Sequence, residues 1–368
     1  MNNINLPKVY IIILNWNGWE DTIECLESLK SITYTNYCIV IIDNGSKDTS
    51  IGKIVEYCNH QPNFEFYNFK YNGKTKNMSK TKIKMNKKLI ILLKNEKNYG
   101  FAKGNNIGIK YAFQHGDPNY ILLLNNDTIV EKEFLTILVK TAEENHKFAN
   151  IQPLLLKPGG EVIDSLGQEL IKWQIKDIGI NSYCSEYKNL LNNNYNEIFG
   201  ACNAAVLYRS DVLKKIGLFD ENFFAIFEDV DLAWRIRLGG FKSIIVSGAI
   251  VYHKRGISGR TSSREGEKKL IKLYHGSKNW LLILIRYYPL SMICYIILMF
   301  PWRFLLYLFN AIYYACRLNN LLQLFKTLNQ SFNIRRNLKM NPLLNAVQHC
   351  WIKIKDINIR QPQVKTSK

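Results

Sequence analysis

The chain of 368 residues is long enough for about two domains, or one large domain with an appendage. Its 47% apolar and 21% charged residues exclude a disordered chain, and 49 Lys and Arg against 30 Asp and Glu, a net charge of +19, favour anionic partners such as nucleotide phosphates, phospholipid or nucleic acid. Eight cysteines (25, 38, 58, 184, 202, 294, 316 and 350) contain no C-x-x-C pair, which excludes a zinc ribbon or a disulfide frame and leaves reduced core residues of a cytosolic chain.

Met1 to Lys8 has neither the basic start nor the apolar stretch of a signal peptide, so nothing there argues for export. Val9 to Leu14 predicts a strand that ends in the turn Asn15-Trp16-Asn17-Gly18, and Trp19, Ile23, Leu26 and Leu29 then recur at helical spacing. Cys38 to Ile42 predicts a second strand closing on Asp43-Asn44-Gly45-Ser46, with a helix from Thr49 to Cys58. This β-α-β-α alternation, polar at each strand's end, points to a parallel sheet with right-handed crossovers. Eight lysines and no acid between Lys70 and Lys88 read as an exposed insertion, either a solvated face or a site for anionic lipid heads or glycan phosphates.

Leu89 to Leu93 returns to the sheet, and the glycines of Asn98 to Asn106 permit close backbone approach ahead of a helix ending near His115. Leu122-Leu123-Leu124 is an apolar strand that stops abruptly at Asn125-Asn126-Asp127. In open α/β sheets the ligand crevice lies beyond the carboxyl ends of the strands, which would set Asp127 on a cleft floor, where a carboxylate can hold a divalent cation. The plain alternative is an Asn-Asp turn before a helix from Glu131 to Asn145. A strand near Ile151 follows; residues 157 to 197, with Trp173, read as acceptor-side elements. Small residues at Gly200 to Ala205 admit a ligand or backbone, and Glu228, Asp229 and Asp231 follow a run of aromatics, with a helix from Asp231 to Leu238 that Asp231 caps. Ser247 to Tyr252 leads into His253, and the Gly- and Arg-rich loop Arg255 to Arg264 reads as a closing lid or a plain linker.

Seven motifs now stand in one order: Ile-Leu-Asn-Trp-Asn-Gly (13–18), Ile-Asp-Asn-Gly-Ser-Lys-Asp (42–48), Asn-x-Gly-Phe-Ala-x-Gly-Asn-Asn (98–106), Leu-Asn-Asn-Asp-Thr (124–128), Gly-Leu-Phe-Asp-Glu (217–221), Glu-Asp-Val-Asp-Leu (228–232) and Tyr-His (252–253). Together they resemble the inverting nucleotide-sugar glycosyltransferases of family 2, and within it the rhamnosyltransferase-type branch that builds surface polysaccharides. The resemblance implies a GT-A fold, α/β and Rossmann-like, with a mixed, mostly parallel sheet flanked by helices over residues 1–280, the Lys-rich insertion at about 70–88 included. It implies that Leu14, Trp16 and Asp43 line the base and ribose pocket of a donor such as dTDP-rhamnose, with Asn98 and Asn105 nearby, and that Asn15, Asn17, Gly100, Asn125 and Asn126 also bind the nucleotide-sugar. Asp127 and His253 would hold Mn²⁺ or Mg²⁺, although the first acid of the family's D-x-D is Asn125 here, one charged ligand fewer. Asp229 would be the general base, with Glu228, Asp231 and Gly200 serving the acceptor or supporting the site, Glu228 by orienting the acceptor or Arg235.

No charged residue occurs from Tyr287 to Trp302, and the apolar run resumes from Phe304 to Cys316. Residues 281–335 are expected to form helices lying in or dipping into the cytoplasmic face of the cell membrane; one true span and a buried helical pair are the alternatives. That position suits an acceptor glycan on a polyprenyl diphosphate. Residues 336–368 form a basic, peripheral tail. A non-catalytic nucleotide-sugar or glycan-binding subunit of the same fold is the competing function. Nucleic acid is not an expected partner, since no recognition helix or RNP-type motif is present.

Overall fold

The computed structural model describes residues 6–71, 88–171, 174–255, 265–318 and 320–337. Most of the lysine-rich insertion, Trp173, the proposed lid beyond Arg255, Cys350 and the basic tail beyond 337 lie outside the described residues. In chain order the first half runs β1 (Val9–Asn15), α1 (Trp19–Lys30), β2 (Tyr37–Asp43), α2 (Ser50–Asn59), β3 (Phe64–Lys70), β4 (Lys88–Lys94), α3 (Gly100–His115), β5 (Tyr120–Asn125), β6 (Thr128–Val130), α4 (Phe134–Glu144) and β7 (Phe148–Leu156). Then come β8 (Ile163–Ser165), the hairpin β9 (Gln168–Ile171) and β10 (Gln174–Asp177), α5 (Lys188–Leu191), β11 (Asn196–Ile198), β12 (Ala205–Arg209), α6 (Ser210–Ile216), α7 (Glu228–Leu238) and β13 (Lys242–His253). Four helices close the described chain: α8 (Glu265–Tyr287), α9 (Leu290–Met299), α10 (Pro301–Arg317) and α11 (Leu321–Asn337).

The strand runs lack alternation because both faces of the sheet are covered. Ile11 and Ile13 of β1 pack with Leu26 and Leu29 of α1 and Leu138 of α4, whereas Tyr10 and Ile12 face Ile107 and Tyr111 of α3. The sheet order is β11-β13-β7-β12-β5-β1-β2-β4-β3. β1, β2, β4, β3 and β5 pair in parallel, and β12 enters antiparallel to β5 and β7, which makes the sheet mixed. Register brings Asn15 opposite Asp43 and Leu14 opposite Asn125, so the strand ends form one polar rim.

Several boundaries depart from the sequence expectations. The turn at Asp127 is followed by β6, paired with β13, so the next helix begins at Phe134 rather than Glu131. α7 begins at Glu228, three residues before the expected start, and Asp231 does not cap it. The boundary expected at 280 falls inside α8, because Trp280 to Leu284 are buried in a third core shared with Val230 and Trp234 of α7. Cys25, Cys38 and Cys58 are buried as expected, but Cys294 and Cys316 are exposed. Among the described residues no single helix is long and apolar enough to cross a membrane; α9 and α10 together have the length and composition but bend by 101°. Pro301 opens α10 and cannot continue α9, which is why the apolar run is broken there.

Candidate active site

The rim after β1 and β2 is a closed set of polar contacts. Asn15 Nδ2 donates to Asp43 Oδ2 at 2.8 Å, and Ser46 adds its hydroxyl to Oδ2 at 2.6 Å and its backbone N–H to Oδ1 at 3.0 Å. Three donors therefore fix a carboxylate that is fully buried. Asn17 links the two loops, its N–H donating to Ser46 Oγ at 2.9 Å and its Oδ1 accepting from the Lys47 N–H at 2.8 Å. Leu14 is half-buried beside this rim and Trp16, at 40% exposure, forms its lip.

Asn44 ties the rim to the loop after β4. Its amide donates to Asn98 Oδ1 at 2.9 Å and to the Gly100 carbonyl at 3.1 Å, and its oxygen accepts from Asn95 Nδ2 and the Tyr99 N–H. Asn98 Oδ1 also accepts from the Gly100 N–H at 2.8 Å, starting α3. Asn105 lies one turn into α3 with its amide on the Phe101 carbonyl, and Asn106 grips the backbone of Phe219 through both ends of its amide.

Beyond β5, Asn126 Nδ2 donates to the Gly18 carbonyl and to Thr22 Oγ1, both at 3.1 Å, which anchors the turn to α1. That leaves Asp127 beside His253, with Oδ1 3.2 Å from Nε2. The other ring nitrogen of His253 lies 2.8 Å from Asp164 Oδ2, and Arg255 closes on the second oxygen of Asp164. Burial alone would lower the His253 pKa, but its hydrogen bonds to Asp127 and Asp164 push it up to about 9. Burial likewise opposes ionisation of Asp164, and His253 and Arg255 overcome it, holding that carboxyl below its ordinary value. Once a cation displaces the proton on Nε2, a carboxylate and an imidazole oriented by a second carboxylate would form a donor set suited to Mn²⁺, and to Mg²⁺ less well. Among the described residues no group of three His, Cys, Asp or Glu is placed to hold a metal. A cation here would rely on donor phosphate and water for its remaining positions, the usual arrangement for a nucleotide-bound divalent ion.

The carboxylate pair is presented by strained backbone. Phe224, Ile226 and Phe227 have φ of 62°, 71° and 68°. Such conformations cost about 1–3 kcal/mol each in non-glycine residues and persist at sites that need them. α7 then starts at Glu228. Asp229 is half-buried, accepting from the Val230 N–H at 2.8 Å and from Gln168 Nε2 at 2.7 Å. Gly200 permits the second contact, since a Cβ there would lie 2.7 Å from Gln168 Oε1 and 2.6 Å from the Ala233 Cβ. Burial and then the nearby Asp177 carboxylate raise the Asp229 pKa, and burial and then Asp229 raise that of Glu228, which is buried. Asp231, the fourth residue of α7, points instead into the third core, where it meets Arg235, Arg286 and the Tyr287 hydroxyl. Arg235 is thus held by Asp231.

Asp164, Gln168 and Asn44 were not singled out by sequence reasoning. Asp164 and Gln168 lie in the stretch 157–197, where no motif marks them; Asn44 lies inside the motif 42–48, beside the charged Asp43.

The family model described as "Glycosyl transferase family 2" matches residues 10–81 and 74–217. The chain is 22% identical over 233 residues to the low-salt glycan biosynthesis hexosyltransferase Agl10 of Haloferax volcanii, covering 63% of this chain and 62% of that one. It is 27% identical over 160 residues to an uncharacterized glycosyltransferase of Rickettsia felis, covering 43% of this chain and 21% of that one. It therefore spans less than two thirds of the length of both relatives. Among solved structures, GalNAc-T7 with UDP, GalNAc and Mn²⁺ superposes with a TM-score of 0.54 at 16% identity, over 78% of this chain and 49% of that one. The mannosyltransferase PcManGT of Pyrobaculum calidifontis, in complex with GDP-Man and Mn²⁺, gives 0.52 at 13% identity, over 95% and 88%. At such identities these two likenesses speak for the fold, which is GT-A.

Proposed function

The chain belongs to glycosyl transferase family 2, and on that premise we propose that it transfers a sugar from a nucleotide-sugar donor to a glycan acceptor with inversion at the anomeric carbon. The observation that carries this reading is the series of charged groups Asp127, His253, Asp164, Arg255 and Asp177, which ends beside Asp229. In this reading Asp127 and His253 bind the diphosphate at one end of the series and Asp229 accepts the proton at the other. The acceptor hydroxyl attacks the anomeric carbon from the face opposite the diphosphate, and Asp229 takes its proton as the nucleoside diphosphate leaves. A carboxyl raised toward neutrality is matched to that task, and Gln168 holds it in one orientation.

Leu14, Asn15, Trp16, Asn17 and Asp43 form the pocket for base and ribose. Asp127 and His253 would hold Mn²⁺ or Mg²⁺, which would supply positive charge for the leaving diphosphate; the Mn²⁺ in both solved neighbours supports this. The Asn-Trp-Asn-Gly and Asn-Asn-Asp motifs support a rhamnosyl donor such as dTDP-rhamnose. The exposed apolar faces of α9 and α10 support a seat on the cytoplasmic face of the membrane and an acceptor glycan carried on a polyprenyl diphosphate.

The test is donor consumption by the full chain against UDP-, GDP- and dTDP-sugars, with and without Mn²⁺ or Mg²⁺, beside the Asp127→Ala variant. Metal-dependent release of one nucleoside diphosphate, lost in the variant, is expected. No release from any donor with acceptor lipid supplied would overturn the reading.

A further inference from the structure

The strained loop ahead of Glu228 is held by one side chain from a distant helix. Asn279, fully buried in α8, places Nδ2 at 2.8 Å from the Phe223 carbonyl, 2.8 Å from that of Ala225 and 2.6 Å from that of Ile226. These carbonyls flank the positive-φ residues Phe224 and Ile226. Phe224, with φ 62° and ψ −65°, is the centre of a γ-turn closed by the Ala225 N–H on the Phe223 carbonyl at 2.7 Å, a rare and strained form. With three carbonyls around it, only the NH₂ end of the amide can face the loop. Neighbours on α8 add to the grip: Lys278 donates to the Asn222 carbonyl, and the His275 ring stacks on Phe224 at 4.7 Å. From the opposite side the Ala102 N–H donates to the Phe224 carbonyl at 3.0 Å, and Gly100 leaves room for the Phe224 ring, which would lie 2.5 Å from a Cβ.

We propose that Asn279 is a positioning residue for the transfer: by gathering three carbonyls it fixes Phe227 as the left-handed entry to α7, and so the direction in which Glu228 and Asp229 leave the loop. The inference rests on the reading of Asp229 as base. It reaches beyond residues 10–217, the span matched by the family model, to a helix that also meets α10 through Trp280, stacked on Tyr307 at 4.4 Å. One helix thus touches the carboxylate loop and the apolar helix pair through adjacent residues.

The full chain carrying Asn279→Ala, or the isosteric Asn279→Asp, whose carboxylate would repel the three carbonyls, tests this by two readouts. Hydrogen exchange should rise at residues 222–230 and stay unchanged at the ends of β1, β2 and β5. With the donor that the parent consumes, kcat should fall by about tenfold to a hundredfold while the donor KM stays within about threefold, since small misplacement of a reacting group suffices for such a loss. Asn279→Ser, which keeps a shorter donor, should recover part of kcat, and it replaces the alanine variant if that fails to fold. Parent-like exchange at 222–230, or parent-like kcat, overturns the proposal. If the parent itself releases no nucleoside diphosphate, the base reading fails separately, and exchange alone decides whether Asn279 holds the loop.

Discussion

Asp164, fully buried, lies 2.8 Å from His253 Nδ1, and this one contact decides which ring nitrogen faces Asp127. A partner behind a metal-binding histidine fixes its tautomer and ring orientation, and its loss commonly costs 10- to 100-fold, on the order of magnitude, in metal affinity. Asp164→Asn is therefore expected to weaken Mn²⁺ binding in the presence of nucleoside diphosphate by about that factor. Calorimetric titration of Mn²⁺ checks it; parent affinity in a folded variant would mean that the ring needs no steering.

The carboxyl of Asp229 is raised by burial first and by Asp177 second, while Gln168 opposes the rise. A general base works only when deprotonated, so turnover falls as pH drops through its pKa, and a raised pKa moves that acid limb upward. Asp177→Asn should shift the limb to lower pH. Gln168→Leu should shift it to higher pH and lower kcat, because the carboxylate loses the donor that holds it. The pH dependence of kcat for both variants checks the pair; limbs that do not move in opposite directions would remove Asp229 from the role.

How much of this was open to sequence reading follows from where the information lies. β1, β2, β4 and β5 carry local signals, apolar runs closed by polar residues, and each falls within a residue or two of its expected bounds. Asp127 and Asp229 stand at element boundaries, where a polar residue after an apolar run is visible in one dimension. Asp164, Gln168 and Asn279 become partners only through tertiary approach across 89, 61 and 53–56 residues. Asp231 shows the same limit: its place in an acidic cluster suggests a helix cap, but its partner Arg286 lies 55 residues away.

Asp231 holds the C-terminal helices to the sheet domain. It accepts from Arg235 Nε at 2.9 Å, Arg286 Nη1 at 2.8 Å and the Tyr287 hydroxyl at 2.7 Å, and both Asp231 and Arg286 are buried. Arg286 keeps Asp220 at 2.7 Å when Asp231 is removed, so the loss is that of charge-assisted hydrogen bonds rather than of a stranded charge, and Asp231→Ala should destabilise the chain by about 2–3 kcal/mol. Burial opposes ionisation of Asp231, but Arg235 and Arg286 override it and lower its pKa. The folded value is below the unfolded one, so this stabilisation is complete above the unfolded carboxyl's range, about pH 4, and is lost as pH falls through the folded value. Thermal denaturation of parent and variant from pH 7 downward checks both points; a gap between the two that fails to narrow with acid contradicts the assignment.

The outer face of α10 is apolar where a helix facing water would be polar. Trp302, Leu305, Leu306, Phe309 and Tyr313 recur at helical spacing and are exposed, Trp302 at 84%, while Ala311 and Ala315 of the same helix are buried. Leu298 and Met299 at the end of α9 extend the face across the 101° bend, with Leu298 at 78% exposure. A contiguous apolar surface of this kind marks an interaction site, and a bent pair with a tryptophan at its corner suits the boundary between headgroups and acyl chains. Introducing charge there removes the gain from burial and adds repulsion from anionic lipid. Trp302→Glu with Leu306→Glu is expected to reduce co-sedimentation with vesicles of mixed phosphatidylglycerol and phosphatidylethanolamine by about tenfold or more. Donor consumption in detergent should remain, because neither residue contacts the rim at Asn15, Asp43 and Asp127. Vesicle binding equal to that of the parent would show that the face is covered by something other than lipid.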